Sequence, residues 1–457
     1  MKKNLPFRPL LSVASLCLFP VALSAQPAGS TPPLDTSQPG ASLPSAPSQP
    51  ATPAVPTTPS QPAGMPQPGG APFPGGISQP ASTQGSTGRY PDEPALQFRV
   101  LAGVEHETNA LRVPSSANPR SDEVGILGVG LKANRRYGLQ RIRADIEANT
   151  YRYRRQSDLD FNTINYSLAW DWQFTSAFHG VVSADRKQFR VVTTDPVALV
   201  NRVGKRTERA EVAEGIYNLS ASWRLLAGVA HNESTSNQPS PWDASPSVTS
   251  GRVGAGYELP SGASLYARFR RGDGKYAEVI AGAPSGDFRE NEAELVLKWP
   301  ITVKTVVEGR LGHIERNHSA APVRDFSGMV GNAFVRWEIT GKTRLTAGLG
   351  RDLSATGGTA GGHVQQDRFY IGPVWQATSQ FAVHARYDRV ARDWKDVPAG
   401  TPEVGQSERI QLLSAGVDWE PRRWLTVSGY VRGERLKSNI TSGYRSTTVG
   451  AAVKAYF

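Results

Sequence analysis

The sequence predicts an all-β fold, namely a transmembrane, antiparallel, up-and-down β-barrel of about 18 strands, with 16 strands as the alternative. Three observations predict it. Apolar and polar side chains alternate with a period of two from about residue 94 onward, short links alternate with long polar ones, and tryptophans gather beside the short links. The predicted organisation is a signal peptide over 1–25, a disordered segment over 26–93 and the barrel over 94–457.

The composition excludes several classes of protein. The chain has 457 residues, 39% of them hydrophobic. After residue 25, no stretch has the about 20 apolar residues that a membrane helix needs, which excludes a helical membrane protein. The single cysteine, Cys17, lies in the predicted signal peptide, so disulfide scaffolds, thiolate metal sites and cysteine nucleophiles are excluded as well.

The N-terminus has the layout of a secretory signal peptide. Basic residues precede an apolar run over Leu10–Leu23, and small residues follow it. We expect cleavage after Ala25, with Ser24 as the alternative site and a retained membrane anchor as the competing interpretation. Residues 26–93 are rich in proline, serine, glutamine and glycine and cannot bury enough apolar surface to fold. This periplasmic segment would be a spacer or a tether for a periplasmic partner.

The alternation is clearest in residues 140–150. One face carries Arg141, Arg143, Asp145 and Glu147, and the other carries Ile142, Ala144, Ile146 and Ala148. Successive side chains of a strand point to opposite faces, so this strand has one apolar and one charged surface. In an outer-membrane barrel the apolar surface meets lipid and the polar surface meets the lumen.

Short and long links alternate along the predicted barrel. The short links include Asn134–Gly138, Thr175–Ser176, Pro260–Gly262, Gly341–Lys342, Thr378–Ser379 and Pro421–Arg423. The long polar links include Thr108–Asp122, Val191–Lys205, Ser234–Ser247, Gly272–Asp287 and Asp393–Gly405. Short turns on one side and long loops on the other are typical of outer-membrane barrels, whose short turns face the periplasm.

Two strands are weakly patterned, around Glu208–Asn218 and Arg368–Trp375, which is why 16 strands is the alternative. Pro373 has no N–H to donate to a neighbouring strand, so we expect a β-bulge there.

Aromatic residues mark the short-link side. Strands close just before a short link at Trp172, Trp299, Trp337, Trp375 and Trp419. Aromatic rings gather where membrane hydrocarbon meets water, so these residues predict a periplasmic girdle, with core tryptophans of a β-sandwich as the alternative. The last strand ends in Phe457 on its apolar face, and it resembles the strand that the outer-membrane assembly machinery recognises. We therefore expect that machinery as a partner.

The side chains on the polar face of each strand would line the lumen. Its candidate substrate-path residues are Arg141, Arg143, Lys187, Arg252, Arg268, Arg270, Arg310, Arg344, Arg386 and Arg432, with Tyr266, Tyr370 and Tyr430 as candidate sugar-stacking rings. In one interpretation these cations attract an anionic solute. In the other they pair with lumen carboxylates across neighbouring strands and hold the barrel in shape.

A further set of basic residues would face lipopolysaccharide phosphates. Arg152 and Arg154 change parity relative to Arg141 and Arg143, either because they lie above the hydrocarbon or because a bulge precedes them. The predicted long links contribute Arg202, Lys205, Arg206 and Arg209.

Catalytic and cofactor motifs are missing from the sequence. It has no His-Glu-x-x-His, Gly-x-Ser-x-Gly or phosphate-binding glycine loop, so we expect no enzyme, no cofactor and no metal site. A hydrolase embedded in the barrel wall is the alternative. Nucleic-acid binding is disfavoured, because the basic residues alternate with acidic ones and the chain is expected to be exported.

A resemblance to a known family adds to this interpretation. The stretch Val104-Glu-His-Glu-Thr-Asn-Ala-Leu-Arg112 resembles the opening motif of β-barrel porins, acidic-x-Asn-x-x-Arg, with Glu107 where aspartate is more usual. The run from Tyr137 to Trp172 is similar to the EpsL-like barrels encoded with exosortase-associated exopolysaccharide loci. The resemblance implies a role in exopolysaccharide biosynthesis or export across the outer membrane of a Gram-negative bacterium.

The expected function is therefore passive passage of an acidic polysaccharide through an outer-membrane channel. A non-transporting scaffold barrel that binds polysaccharide or partners through its long loops, and a general porin, are the alternatives. The expected partners are the polysaccharide, outer-membrane lipids and lipopolysaccharide, and the assembly machinery.

Overall fold

The computed structural model describes residues 95–195, 200–237, 245–276, 287–355, 362–401, 403–440 and 442–457. The predicted signal peptide and proline-rich segment lie outside the described residues. Within the described ranges, no helix is long and apolar enough to cross a membrane.

The described chain forms one antiparallel sheet of 18 strands. The strands are β1 (Leu96–Glu107), β2 (Asp122–Tyr137), β3 (Gln140–Tyr153), β4 (Phe161–Gln173), β5 (Phe178–Asp195), β6 (Val200–Asn218), β7 (Trp223–Ser236), β8 (Pro246–Glu258), β9 (Ser264–Tyr276), β10 (Phe288–Thr302), β11 (Thr305–His318), β12 (Phe326–Glu338), β13 (Thr343–Ala355), β14 (His363–Gln376), β15 (Phe381–Lys395), β16 (Ser407–Arg422), β17 (Leu425–Ser438) and β18 (Arg445–Tyr456). Each strand pairs with its neighbour in the sequence, and β1 pairs with β18 from Arg99↔Tyr456 to Glu107↔Thr448. The sheet is therefore a closed barrel, which confirms the predicted fold class and the count of 18.

The two faces of the wall have opposite polarity, as the alternation predicts. In β1 the side chains of Phe98, Val100 and Val104 point outward and are 46–64% exposed, whereas Glu105 and Glu107 point inward and are buried. Closure pairs the backbone groups of every strand, so no open edge remains to be satisfied by water. The result is an apolar outer surface around a polar interior.

The connections alternate as predicted. At one end β2–β3, β10–β11 and β16–β17 are joined by two-residue turns, and at the other end the connections are mostly longer. Exposed tryptophans stand at the short-turn end, at Trp170, Trp223, Trp299, Trp337, Trp375, Trp419 and Trp424.

Two local predictions are wrong, and one of the two alternatives for Arg152 is excluded. Pro373 is paired opposite Leu345 with no change of register, and the shifts in register occur instead between Pro300 and Thr302 and between Trp419 and Arg422. Strand β3 has an unbroken register, so Arg152 faces outward without a bulge. The predicted polar link Val191–Lys205 is mostly strand, because β5 and β6 stay paired as far as Asp195↔Val200.

Glycines on the inward face make room for large side chains on the next strand. The ring of Tyr266 lies against Gly256, Tyr370 against Gly348, and Tyr430 against Gly450. A Cβ on any of these glycines would overlap the ring, so each tyrosine is packed flat on the wall.

This packing can be tested within strand β8. A Gly256→Val substitution would displace the Tyr266 ring, and overpacking of this kind destabilises a fold by about 1–3 kcal/mol. Gly251 in the same strand has open space where a Cβ would stand, so Gly251→Val is the matched control. We expect only Gly256→Val to lower the temperature at which the barrel loses its folded migration in detergent electrophoresis. Equal temperatures for the two variants would contradict the packing described here.

Candidate functional site

Every candidate lumen residue lies on the inward face, because each has the parity opposite to the exposed apolar residues of its strand. These residues are Arg141, Arg143, Lys187, Arg252, Arg268, Arg270, Arg310, Arg344, Arg386, Arg432, Tyr266, Tyr370 and Tyr430. The structure thus places all of them except Lys187 on the inner surface of the wall, and Lys187 follows the last residue of β5 that pairs with β4. What they do there depends on their neighbours.

Most of these cations are paired with carboxylates. The largest group, the wall cluster, runs from β6 to β11 and consists of Glu214, Arg252, Arg268, Arg270, Glu290, Glu292, Glu294, Arg310 and Arg316. In it, Arg268 Nη2 lies 2.7 Å from Glu294 Oε1 and Arg270 Nη2 lies 2.6 Å from Glu292 Oε2. Because the wall cluster is largely buried, its charges hold neighbouring strands together more than they face a solute.

Two candidate cations keep access to the lumen. The side chain of Arg143 is 45% exposed although its Nη2 lies 2.7 Å from Asp171 Oδ1. The side chain of Arg386 is 41% exposed although its Nε lies 2.6 Å from Asp388 Oδ2. Partly exposed pairs of this kind are weak, so both guanidinium groups remain able to interact with a passing anion.

The candidate tyrosines differ in the ring surface that they offer. Tyr266 is only 3% exposed and its hydroxyl donates a hydrogen bond to Glu258, so its ring has almost no surface for a sugar. Tyr370 has the guanidinium of Arg386 at 4.4 Å from its ring centroid. Tyr430 is half-buried and its hydroxyl donates to Glu105. These contacts make packing the main role of all three rings.

The most distinctive feature of the interior is a hairpin that leaves the barrel wall. Strand β5 pairs with β4 only up to Arg186↔Tyr166, and β6 pairs with β7 only from Arg206↔Ser236. Beyond these positions β5 and β6 form ladder pairs only with each other. At the base, Gln188 N still donates to Asn165 Oδ1 at 2.7 Å, and Asn237 N donates to the carbonyl oxygen of Lys205 at 2.9 Å. This part, residues 187–195 and 200–205, is called the inner hairpin. Its tip, residues 196–199, lies outside the described residues.

The inner hairpin crosses the lumen to the far wall. Val192 is buried in one apolar cluster with Val390, Ile410, Leu436 and Tyr444, which belong to β15, β16, β17 and the link that follows β17. Strand β15 is nine positions from β6 in a ring of 18, so this contact joins opposite sides of the barrel. Burying one valine side chain contributes about 1.5–3 kcal/mol, which helps to fix the hairpin in place.

A buried group of charges holds the same face of the hairpin two residues earlier, at Arg190. The mouth cluster consists of Glu107, Arg112, Arg190 and Glu434. The Oε2 atom of Glu107 lies 3.0 Å from Arg190 Nη1, and its Oε1 atom lies 3.0 Å from Arg112 Nη2. Arg112 Nε lies 3.3 Å from Glu434 Oε2. Two carboxylates thus balance two guanidinium groups, and all four side chains are nearly inaccessible to solvent.

The mouth cluster includes residues of the motif that suggested the family resemblance. Asn109 Nδ2 donates to the carbonyl oxygens of Val113 and Arg445, at 2.7 and 3.0 Å, and Arg112 Nη1 donates to the carbonyl oxygen of Asn109 at 2.6 Å. Arg112 itself has a φ of 56°. The motif therefore shapes the turn after β1 into a receptor for Arg190, which also donates hydrogen bonds to Tyr153 and to the carbonyl oxygen of Ala110.

Some apolar residues of the sequence indicate the inner hairpin, although this stretch was predicted to be a polar loop. Val191, Val192 and Val203 interrupt the presumed loop, and apolar Val390, Ile410 and Leu436 occupy lumen parity near the long-link ends of their strands. Arg206 was expected to face lipopolysaccharide, but it is fully buried and donates to Ser234 Oγ at 2.7 Å. The side chain of Arg202 lies outside the described residues.

Within the described ranges, no group of three or more histidine, cysteine, aspartate or glutamate residues could hold a metal ion.

Comparisons with known proteins gave matches among solved structures only. No protein-family model and no curated protein matches the chain. Pseudomonas aeruginosa OccK1 (OpdK) is similar with a TM-score of 0.44 and 10% identity, over 79% of this chain and 99% of that chain. Pseudomonas aeruginosa OccK2 (OpdF), solved in complex with glucuronate, is similar with a TM-score of 0.45 and 12% identity, over 79% of this chain and 98% of that chain.

The attachment of the inner hairpin can be tested by hydrogen exchange. An Arg190→Gln substitution removes the charge that faces Glu107, and a lost hydrogen bond to a charged group costs about 1.5–3 kcal/mol. We expect amide exchange in residues 187–192 to become at least about tenfold faster, since 1.4 kcal/mol corresponds to a factor of ten. Arg186→Gln, which changes an outward-facing cation of the same strand, is the control. Unchanged exchange in Arg190→Gln would show that the ion pair with Glu107 is not needed to hold the hairpin.

Proposed function

We propose that this protein is a channel in the outer membrane of a Gram-negative bacterium, narrowed at its long-link end by the inner hairpin. One observation supports this above all: a closed barrel with an apolar exterior has a polar interior, and a single hairpin crosses that interior. Barrels of 16 to 18 strands enclose a water-filled space that side chains of the wall do not fill. A segment folded inward therefore decides what can pass.

The outer surface supports the membrane location. Leu127, Val129, Leu311 and Leu349 are 57–62% exposed although they are apolar, and only a hydrocarbon environment makes such exposure favourable over a whole belt. The exposed tryptophans at the short-turn end mark the boundary with water. In this orientation the short turns face the periplasm and the inner hairpin lies towards the cell exterior.

The substrate that we propose is an anionic polysaccharide in transit out of the cell. Arg143 and Arg386 present partly exposed guanidinium groups to the lumen, and guanidinium forks bind carboxylates well. Two weakly paired cations favour entry of an anion without holding it tightly. The resemblance to barrels encoded with exopolysaccharide loci supports a polymer as the substrate. The lumen side chains need no cofactor for this passive role.

Three partners belong to the same proposal. The terminal strand β18 ends beside Phe457, whose ring is 71% exposed, and it would be recognised by the outer-membrane assembly machinery. Outer-membrane lipids and lipopolysaccharide would surround the barrel. The proline-rich segment over 26–93 would extend from the periplasmic end of the barrel towards a periplasmic partner.

A second candidate is a scaffold barrel that transports nothing. The apolar contact at Val192 and the ion pair at Arg190 both hold the inner hairpin, which favours a closed mouth over an open one. The two candidates differ in a direct measurement. Liposomes that contain the native chain should swell in acidic oligosaccharides if the barrel conducts, and should not swell if it is sealed.

Shortening the inner hairpin tests its role as the constriction. Arg190 and Lys205 are opposed in register, so residues 191–204 can be replaced by a two-residue Asn-Gly turn. We expect larger single-channel conductance and faster liposome swelling in larger oligosaccharides, because the crossing segment is removed. Folded migration in detergent electrophoresis is the control for an intact barrel. Conductance equal to that of the native chain would exclude the hairpin as the constriction.

Ion selectivity tests the exposed lumen cations. An Arg143→Gln, Arg386→Gln double variant should lower the ratio of anion to cation permeability in planar bilayers by about a factor of two or more, because local charge sets the local counter-ion concentration. Arg351→Gln, which removes an outward-facing cation, is the control. A permeability ratio that does not change would count against an anionic substrate.

The polysaccharide itself requires an experiment in cells. Deletion of the chain should decrease polymer at the cell surface and increase polymer retained inside the envelope. Reduced uptake of small solutes with normal secretion of polymer would favour a general porin.

A further inference from the structure

Five cations lie together on the outer surface of the barrel, on the strands around β17. Arg409 is on β16, Arg435 and Lys437 are on β17, Arg445 begins β18, and Arg389 on β15 flanks them. All five share the outward parity of their strands, and Arg389, Arg409, Lys437 and Arg445 are exposed. This group is called the rim patch.

The register brings like charges directly opposite each other in the rim patch. Arg409 is paired with Lys437, and Arg435 is paired with Arg445. Directly opposed residues have Cβ atoms about 4.5–5.5 Å apart, and like charges in that position destabilise a sheet. Among the described residues, two carboxylates lie close by on the same face: Asp393, which stands diagonally from Arg409 and is opposite Ser407, and Asp367, which stands diagonally from Arg389 and is paired with Arg351. Four cations in two adjacent pairs thus exceed the acidic charge around them.

Several outward-facing cations elsewhere on the barrel have carboxylate partners. Arg289 Nε lies 3.1 Å from Asp273 Oδ1, and Arg351 Nε lies 2.6 Å from Asp367 Oδ1. The same holds for Arg154 with Glu123 and for Arg209 with Glu233. Among the described residues, no ion pair of this kind involves a member of the rim patch. Within the described ranges, Arg271 and Lys275 on β9 also lack an ion pair, but they flank Asp273 on the same face, whereas the rim patch has two adjacent pairs of directly opposed cations.

The position of the rim patch indicates what neutralises it. Directly towards the short-turn end, the same strands expose the apolar side chains of Leu413, Val431 and Val449, which are 60%, 44% and 54% exposed. On each of these strands the first cation stands two outward positions above the apolar residue. An occupant that fits both surfaces has an anionic head joined to apolar chains. A free anion would contact only the upper part, and hydrocarbon alone would leave the cations unpaired.

We propose that the rim patch binds the phosphorylated headgroup of an outer-leaflet glycolipid, whose acyl chains lie against Leu413, Val431 and Val449. Phosphate oxygens accept charge-assisted hydrogen bonds from several cations at once, which converts repulsion within the patch into attraction. Gln411, opposite both Arg389 and Arg435, donates one amide N–H to Tyr387 Oη at 3.1 Å and has a second N–H for the same headgroup. This lipid site rests on the membrane location proposed above, but it does not require the barrel to conduct.

The lipid site can be tested with the full chain purified in a neutral detergent. The probe is a diphosphorylated glucosamine glycolipid, lipid A, and binding is measured by native mass spectrometry over a range of lipid concentrations. We expect a triple variant with Arg409→Gln, Arg435→Gln and Arg445→Gln to bind at least about tenfold more weakly, because it removes three charge-assisted contacts. The matched control, Arg289→Gln with Arg351→Gln, removes paired cations at the same rim and should bind like the native chain.

Two further binding measurements identify which part of lipid A the rim patch recognises. Lipid A from which both phosphates have been removed should bind no better to the native chain than to the triple variant. Inorganic pyrophosphate should compete only weakly, because it lacks the acyl chains. A triple variant with lysine at the three positions keeps the charge and should restore most of the binding, which also controls for a folding defect.

The outcomes that would overturn the lipid site are distinct from a failure of the channel. Equal binding by the native chain and the glutamine variant, equal binding of dephosphorylated lipid A, or full competition by pyrophosphate would each refute it. Bilayer conductance is measured on the same preparations. A barrel that conducts ions but fails these binding tests has no lipid site. A barrel that does not conduct but passes the binding tests has the lipid site.

Discussion

The architecture depends on one constraint, namely that a backbone N–H or C=O group in hydrocarbon must find its partner within the protein. In this chain the constraint is met by pairing every strand with its sequence neighbour and the first strand with the last. Closure determines the polarity of the two faces, because alternating side chains then point either to lipid or to the interior. It also explains why the structure is organised around an enclosed space instead of an apolar core.

The interior shows the same principle applied to charge. A buried guanidinium group without a partner is unfavourable by several kcal/mol, so the inward arginines and glutamates of neighbouring strands pair in the wall cluster. The mouth cluster uses such pairing over a much longer distance, between the first strand, the inner hairpin and β17. Charges of the barrel therefore have two roles: most stabilise the wall, and the partly exposed Arg143 and Arg386 remain available to a solute.

The alternation, the tryptophans and the turns were sufficient to predict the barrel and its 18 strands, because these features are local and repeat in each hairpin. The parity of each strand also predicted the inward face for the candidate lumen residues, and their role in a substrate path stays a prediction. Which carboxylate each of these cations would pair with could not be predicted. The pairing of Arg268 with Glu294, for example, depends on the register between two strands. The inner hairpin was missed for a related reason. Val192 meets Ile410 only in three dimensions, and an apolar pair within a polar stretch does not by itself reveal a contact more than 200 residues away.

The mouth cluster has a consequence for how the barrel is completed. Arg112 and Glu434 are separated by 322 residues along the chain, and Arg190 and Glu107 by 83. Arg112 and Glu434 can meet only after the seam between the first and last strands has formed, because the two residues flank that seam. The inner hairpin would then dock on the complete mouth cluster late in biogenesis. Until β1 and β18 have paired, the mouth of the nascent barrel would stay open.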